Sequence, residues 1–107
     1  MALVHVESDK EFNKEVFEEK NQLVVVDFWA PWCMPCKAYT PIFEKVASEV
    51  EGVKFAKANI DELEETTGNL NIMSVPTTAL VKNGEVLDSR PGALTEDMLK
   101  DFINSQK

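Results

Sequence analysis

A chain of 107 residues has room for one compact core and not for two, so a single domain over residues 1–107 is expected. With 44% hydrophobic and 28% charged residues the composition is that of an ordinary globular protein, and the longest apolar run, Leu23 to Val26, is far too short to cross a bilayer. Nineteen acidic against eleven basic residues leave a net charge of −8, which repels phosphate backbones and anionic lipid, so neither nucleic acid nor membrane is expected as a partner.

The first residues, Met-Ala-Leu-Val-His-Val-Glu, lack the basic start and apolar stretch of a secretory signal, and a cytoplasmic location is the expectation for a complete chain. Apolar alternation predicts a first strand over Leu3 to Val6. Ser8 then caps a helix, with Glu11 at the capping-box position, that runs to about Glu19. Leu23 to Trp29 is a β-branched and aromatic run without alternation, the pattern of a central strand covered on both faces. After the turn Ala30-Pro31-Trp32, a helix opens at Cys33, with Ile42, Phe43, Val46, Ala47 and Val50 at helical spacing and Gly52 at its end. Pro41 removes one hydrogen bond inside that helix.

Val53 to Ile60 reads as a third strand, and Asp61 as the cap of a shorter helix ending near Gly68. Two antiparallel strands, Thr77 to Val81 and Val86 to Ser89, are joined by Lys82-Asn83-Gly84-Glu85, where Asn-Gly signals a tight hairpin. Thr95 caps a last helix whose apolar side carries Met98, Leu99, Phe102 and Ile103. Crossover helices followed by a terminal hairpin and helix describe an α/β sandwich with a mixed sheet.

Two cysteines and the distant His5 fall short of the four ligands of a structural zinc site, and no metal is expected. In Trp32-Cys33-Met34-Pro35-Cys36-Lys37 the sulfurs stand one helical turn apart and can bond to each other. Cys33 falls among the unpaired N–H groups at the positive end of the helix, which favour its thiolate, and the thiolate is the form that attacks a disulfide. The roles follow: Cys33 forms a mixed disulfide with substrate, and Cys36, a turn deeper, resolves it. A loop this short would stabilise the fold by only about 2 kcal/mol, which argues for a working bond over a structural one. Two packed core thiols are the alternative.

Asp27 interrupts the most buried strand, where desolvation raises its pKa, and is a candidate base for the Cys36 proton. A structural carboxylate is the competing reading. Lys57 is likewise a charge in an apolar strand, able to pair with Asp27 or to sit on an exposed edge. Pro35 belongs in the first helical turn, where its missing N–H costs nothing.

The segment from Asp27 to Lys37 resembles the active-site segment of the thioredoxin family, in which Gly is usual where this chain has Met34. Lys57-Ala58-Asn59-Ile60-Asp61, Ser74-Val75-Pro76-Thr77, Lys82-Asn83-Gly84-Glu85 and Pro91-Gly92-Ala93-Leu94 resemble later landmarks of that family, in order. The resemblance implies a thioredoxin fold, a five-stranded mixed sheet flanked by four helices, and a protein disulfide reductase with a redox-active Cys33–Cys36 disulfide and no bound cofactor. Electrons would come from NADPH through thioredoxin reductase. That reductase and disulfide-containing substrate proteins are the implied partners of a monomeric chain. The resemblance also implies that Asp27 assists Cys36, that Lys57 tunes Asp27, and that Pro76 is cis and faces the dithiol, presenting the Val75 backbone to an extended substrate segment.

Trp32, Met34, Pro35, Ile60, Val75, Pro76, Gly92 and Ala93 resemble the apolar groove that receives substrate. Met73 stands where the family often has Arg or another polar residue, and with Met34 it would make the groove's lip softer and more apolar. Trp29 is read as packing beside the site. Competing readings are an oxidase or isomerase on the same fold, against which the missing export signal and Pro35 count, and a redox-independent docking subunit, against which the intact dithiol over Asp27 counts.

Overall fold

The computed structural model describes residues 3–107. Five strands form one sheet in the order β1-β3-β2-β4-β5. These are β1 (Leu3–Val6), β2 (Leu23–Trp29), β3 (Val53–Asn59), β4 (Thr77–Lys82) and β5 (Glu85–Pro91). β1, β3 and β2 run parallel, whereas β4 and β5 are antiparallel, so the sheet is mixed as expected. β2 lies in the middle, and Leu23 to Phe28 are all buried, because helices cover both faces of the sheet.

Alternation within β2 assigns each residue to a face. Leu23 and Val25 join a core with Tyr39, Phe43 and Val46 of α2 (Met34–Glu49) and Leu99, Phe102 and Ile103 of α4 (Glu96–Asn104). Val24, Val26 and Phe28 point the other way, to Phe12 of α1 (Asp9–Phe12) and to Val16 and Leu63. α3 (Glu64–Asn69) covers the same face, tied to α1 by Asp9, whose Oδ1 accepts from the Thr66 amide at 2.9 Å and hydroxyl at 2.6 Å. Asp27, at an odd position in β2, therefore faces α2, with Lys57 and Thr78 directly opposite it on β3 and β4.

Three local expectations are corrected. After Ser8, whose hydroxyl accepts from the Glu11 amide, α1 keeps α-helical bonding only to Phe12 and continues as a π-helical turn, Asn13–Phe17, ending short of Glu19. Asp61 caps no helix: β3 ends at Asn59, whose side chain accepts from the Asp61 amide at 3.0 Å to start a 3₁₀ turn, Ile60–Glu62, ahead of α3. Met98 is 53% exposed, because α4 buries only the stripe Leu99, Phe102 and Ile103; Met98 flanks a shallow cleft with Arg90 and Leu94 at the sheet's outer edge.

The hairpin forms where Asn-Gly predicts it, with φ of 52° at Asn83 and 79° at Gly84, the left-handed pair a tight turn requires. Gly52, after α2, has φ of 77°. A Cβ at Gly52 would meet open space, whereas one at Gly84 would lie 3.2 Å from the Phe17 carbonyl oxygen. Gly52→Ala should destabilise by about 1 kcal/mol from backbone strain alone, and Gly84→Ala by roughly twice that once overcrowding is added. Urea midpoints measure both, and equal losses would mean that the Phe17 carbonyl moves aside freely.

Candidate active site

The chain leaves the C-terminal end of β2 at Trp29, turns through Ala30 to Trp32, and enters α2 with Cys33 as the N-cap residue. Pro35 occupies the first helical turn, where no N–H is needed. Cys33 Sγ accepts from the Cys36 amide at 3.2 Å, so one of the otherwise unpaired donors of the helix end points at sulfur. The two cysteines form a disulfide with Cα atoms 5.3 Å apart. Cys36 is fully buried and Cys33 is 4% exposed, so Cys36 is the more deeply shielded of the two. Ala30, Trp29, Ile60 and Val75 pack around the pair.

Directly below, the Lys57 ammonium bonds Asp27 Oδ2 at 3.0 Å and the Thr40 hydroxyl at 2.9 Å, and lies 4.8 Å from the centre of the Trp29 ring. Lys57 sits on an interior strand and is buried, as is Asp27, so the paired arrangement holds and the exposed-edge one does not. Burial raises the Asp27 carboxyl above its usual range, while the charge and hydrogen bond of Lys57 pull it partly back. Asp27 Oδ1 and Trp29 Nε1 have no hydrogen-bond partner among the described residues. Beside Asp27, the hydroxyls of Tyr39 and Thr78 share a hydrogen bond of 2.9 Å, and burial pushes the Tyr39 phenol far up, so that it stays neutral.

The rim is assembled from three loops. Trp32 is 66% exposed and its Nε1 donates to Asp61 Oδ1 at 3.1 Å. The Val75–Pro76 peptide is cis, and the Val75 carbonyl oxygen lies 3.6 Å from Cys33 Sγ. Gly92, at φ 90°, donates its N–H to the Pro76 carbonyl at 2.8 Å, which brings Gly92 and Ala93, both exposed, beside that loop. Ile60 and Val75 are half-buried, Pro76 is buried and Pro35 is exposed. Met34 and Met73 are 71% and 92% exposed, large apolar side chains turned to solvent.

Sequence reasoning overlooked four members of this site. Thr40 stands four residues after Cys36, a spacing that places both on one helix face, and that signal was available. Asp61 bonding Trp32, and Tyr39 bonding Thr78, span 29 and 39 residues, and no local pattern announces either. Among the described residues no group of three or more His, Cys, Asp or Glu could hold a metal, and no helix is long and apolar enough to cross a membrane.

A disulfide between two cysteines at a helix mouth, the second buried more deeply than the first, is the arrangement of a thiol–disulfide oxidoreductase. Comparison with known proteins agrees. The thioredoxin family model matches residues 3–105. The thioredoxin of Rickettsia conorii is 46% identical over 97 residues, 90% of this chain and 91% of that one. That of Bacillus subtilis is 37% identical over 105 residues, 97% of each chain. The crystal structure of the reduced Schistosoma mansoni thioredoxin pre-protein superposes with a TM-score of 0.89 at 35% identity, covering 98% of both chains. The chain belongs to the thioredoxin family, and it is a thiol–disulfide reductase whose chemistry resides in a redox-active disulfide.

The raised carboxyl of Asp27 has a consequence for stability. Between the unfolded value of about 3.9 and the higher value in the fold, the native protein holds a proton that the unfolded chain has lost. Stability is therefore greatest below that window and falls as pH rises through it, by about 1.4 kcal/mol for each pH unit spanned. Asp27→Asn should flatten this segment of the stability curve of the oxidised protein, read from urea midpoints between about pH 4 and about pH 9. An equally steep decline in the variant would assign the slope to another group.

Proposed function

We propose that the chain, as a single domain over residues 1–107, reduces protein disulfides in two steps, with Cys33 as the attacking thiol and Cys36 as the resolving one. The Cys33 thiolate attacks one sulfur of the substrate disulfide and expels the other as a thiolate, which takes a proton from solvent. Cys36 then gives up its proton and attacks Cys33 Sγ, releasing the second substrate sulfur and leaving the Cys33–Cys36 disulfide. Two electrons pass to the substrate. NADPH, through thioredoxin reductase, restores the dithiol. The observation that carries this reading is the Cys36 amide donating to Cys33 Sγ at the mouth of α2, a contact that stabilises charge on the sulfur that faces outward.

Asp27 is the proposed acceptor of the Cys36 proton, and Lys57 limits how far burial raises it. Substrate enters as an extended segment against the Val75–Pro76 backbone, in the manner of an added strand. Trp32, Met34, Pro35, Ile60, Met73, Val75, Pro76, Gly92 and Ala93 form the receiving groove, and the exposure of Trp32, Met34 and Met73 favours apolar segments beside the disulfide. The proposed setting is the cytoplasm, where a reducing pool keeps such a dithiol charged.

With NADPH and a thioredoxin reductase, the wild-type chain should reduce insulin, and Cys33→Ser should abolish turnover. Cys36→Ser should accumulate mixed disulfides through Cys33. In the reduced protein, Cys33 should alkylate at neutral pH at least about tenfold faster than Cys36. Equal, slow alkylation of both thiols would remove the mechanism. Met73→Ser should raise the KM for insulin about threefold with kcat little changed, the signature of lost uniform binding; an unchanged KM would take Met73 out of the groove.

A further inference from the structure

One hydroxyl beneath the dithiol is accounted for neither by sulfur chemistry nor by the Asp27–Lys57 pair. Thr40 lies one turn beyond Cys36 on α2, half-buried, with Oγ1 3.0 Å from the Cys36 carbonyl oxygen and 2.9 Å from Lys57 Nζ. An ammonium only donates and a carbonyl only accepts, so the chemistry sets the orientation. The Thr40 O–H points at the Cys36 carbonyl, and a lone pair points at Lys57.

We propose that Thr40 is a positioning residue for the resolving step: it holds the Lys57 ammonium shared between two acceptors, so that Asp27 can change protonation state while the buried cation keeps a partner. The proposal rests on Asp27 accepting the Cys36 proton. Lys57 is only 4% exposed and has three N–H groups, one on Asp27 Oδ2, one on Thr40 and the remaining side toward the Trp29 ring. An ammonium with the carboxylate as its sole partner would be stranded whenever Asp27 became neutral, and that penalty would keep Asp27 ionised. Thr40 relieves it. The same hydroxyl limits Lys57 to one bond with Asp27, leaving Oδ1 unpartnered as the atom open to a proton.

Few other groups face Asp27. Lys57 approaches from β3, Tyr39 comes from α2, and β4 contributes the neutral Thr78. Further along the same row, His5 opposite Lys57 and Arg90 opposite Thr78 are exposed at the two sheet edges, with the Arg90 guanidinium over the Phe102 ring at 4.5 Å.

The test follows the Asp27 carboxyl carbon by NMR against pH in the oxidised protein, where the cysteines have no proton to lose. In Thr40→Val and Thr40→Ala the ammonium closes on Asp27, and the carboxyl should titrate about one pH unit lower than in wild type. Thr40→Ser, which keeps the hydroxyl, should titrate as wild type. A titration unchanged or raised in Thr40→Val overturns the proposal, as does a Ser variant displaced as far as the Val variant. Release of a thiol reporter from a preformed mixed disulfide with Cys33 should slow about tenfold in Thr40→Val at neutral pH, while Cys33 alkylation keeps its rate. Asp27→Asn in the same assay separates the two failures. If it releases as fast as wild type, Asp27 is not the base; if it is slow and Thr40→Val is not, the role of Thr40 alone is refuted.

Discussion

A carboxylate and an ammonium held out of water, 3.0 Å apart, form the constraint around which this molecule is arranged. Neither charge would be tolerated in the middle of the sheet alone, because desolvation of each costs several kcal/mol and only a close, well-aligned partner offsets it. The alignment comes from the sheet. β2 and β3 are parallel and in a register that sets Asp27 opposite Lys57 on the face turned toward α2, so both side chains rise together under the helix that carries the sulfurs. Burial and pairing then act on the carboxyl in opposite directions, and burial wins.

The dithiol uses a second piece of backbone physics. α2 is sixteen residues long, so its N-terminal donors and the aligned peptide dipoles present a stable positive end to whatever caps it. In most helices a Ser, Thr, Asp or Asn oxygen occupies that place. Here it is Cys33 Sγ, which makes the cap itself one half of the redox-active disulfide. Pro35 opens the helix without losing a bond, and Cys36 is carried one turn inward, beneath Ile60 and Val75. Reactivity and shielding thus come from adjacent turns of one element.

Around this rigid centre the surface is soft and apolar. Trp32 is anchored by Asp61, and Met34 and Met73 extend into solvent. Thioether side chains are flexible and polarizable, so this part of the surface can adapt to differing contours. Beneath it, Asp27, Lys57, Thr40, Tyr39 and Thr78 form a polar layer between the sheet and α2.

Much of this was legible in residue order. The unbroken Leu23 to Phe28 run reads as a doubly covered strand, Asn83-Gly84 as a hairpin, and a Cys pair at turn spacing after Trp-Ala-Pro-Trp as a dithiol opening a helix, because each signal is local: side-chain period, left-handed backbone tolerance, helix pitch. The corrected elements are those in which neighbours distant in the chain decide. Met98 has helical spacing with the buried stripe but lies at the outer edge of α4, and the choice of Asn59 over Asp61 as a cap depends on where β3 lets go of its neighbours.

The amino-acid sequence by itself therefore determined the elements, their order and the identity of the reactive sulfurs, since propensity, periodicity and spacing act within one or two turns of chain. Tertiary structure decided which charges meet, which cysteine is the more deeply buried, and that the Thr40 hydroxyl lies between Lys57 and the Cys36 carbonyl. Those outcomes depend on strand register and on helix placement over the sheet, which are set by packing of the whole core and not by any one segment.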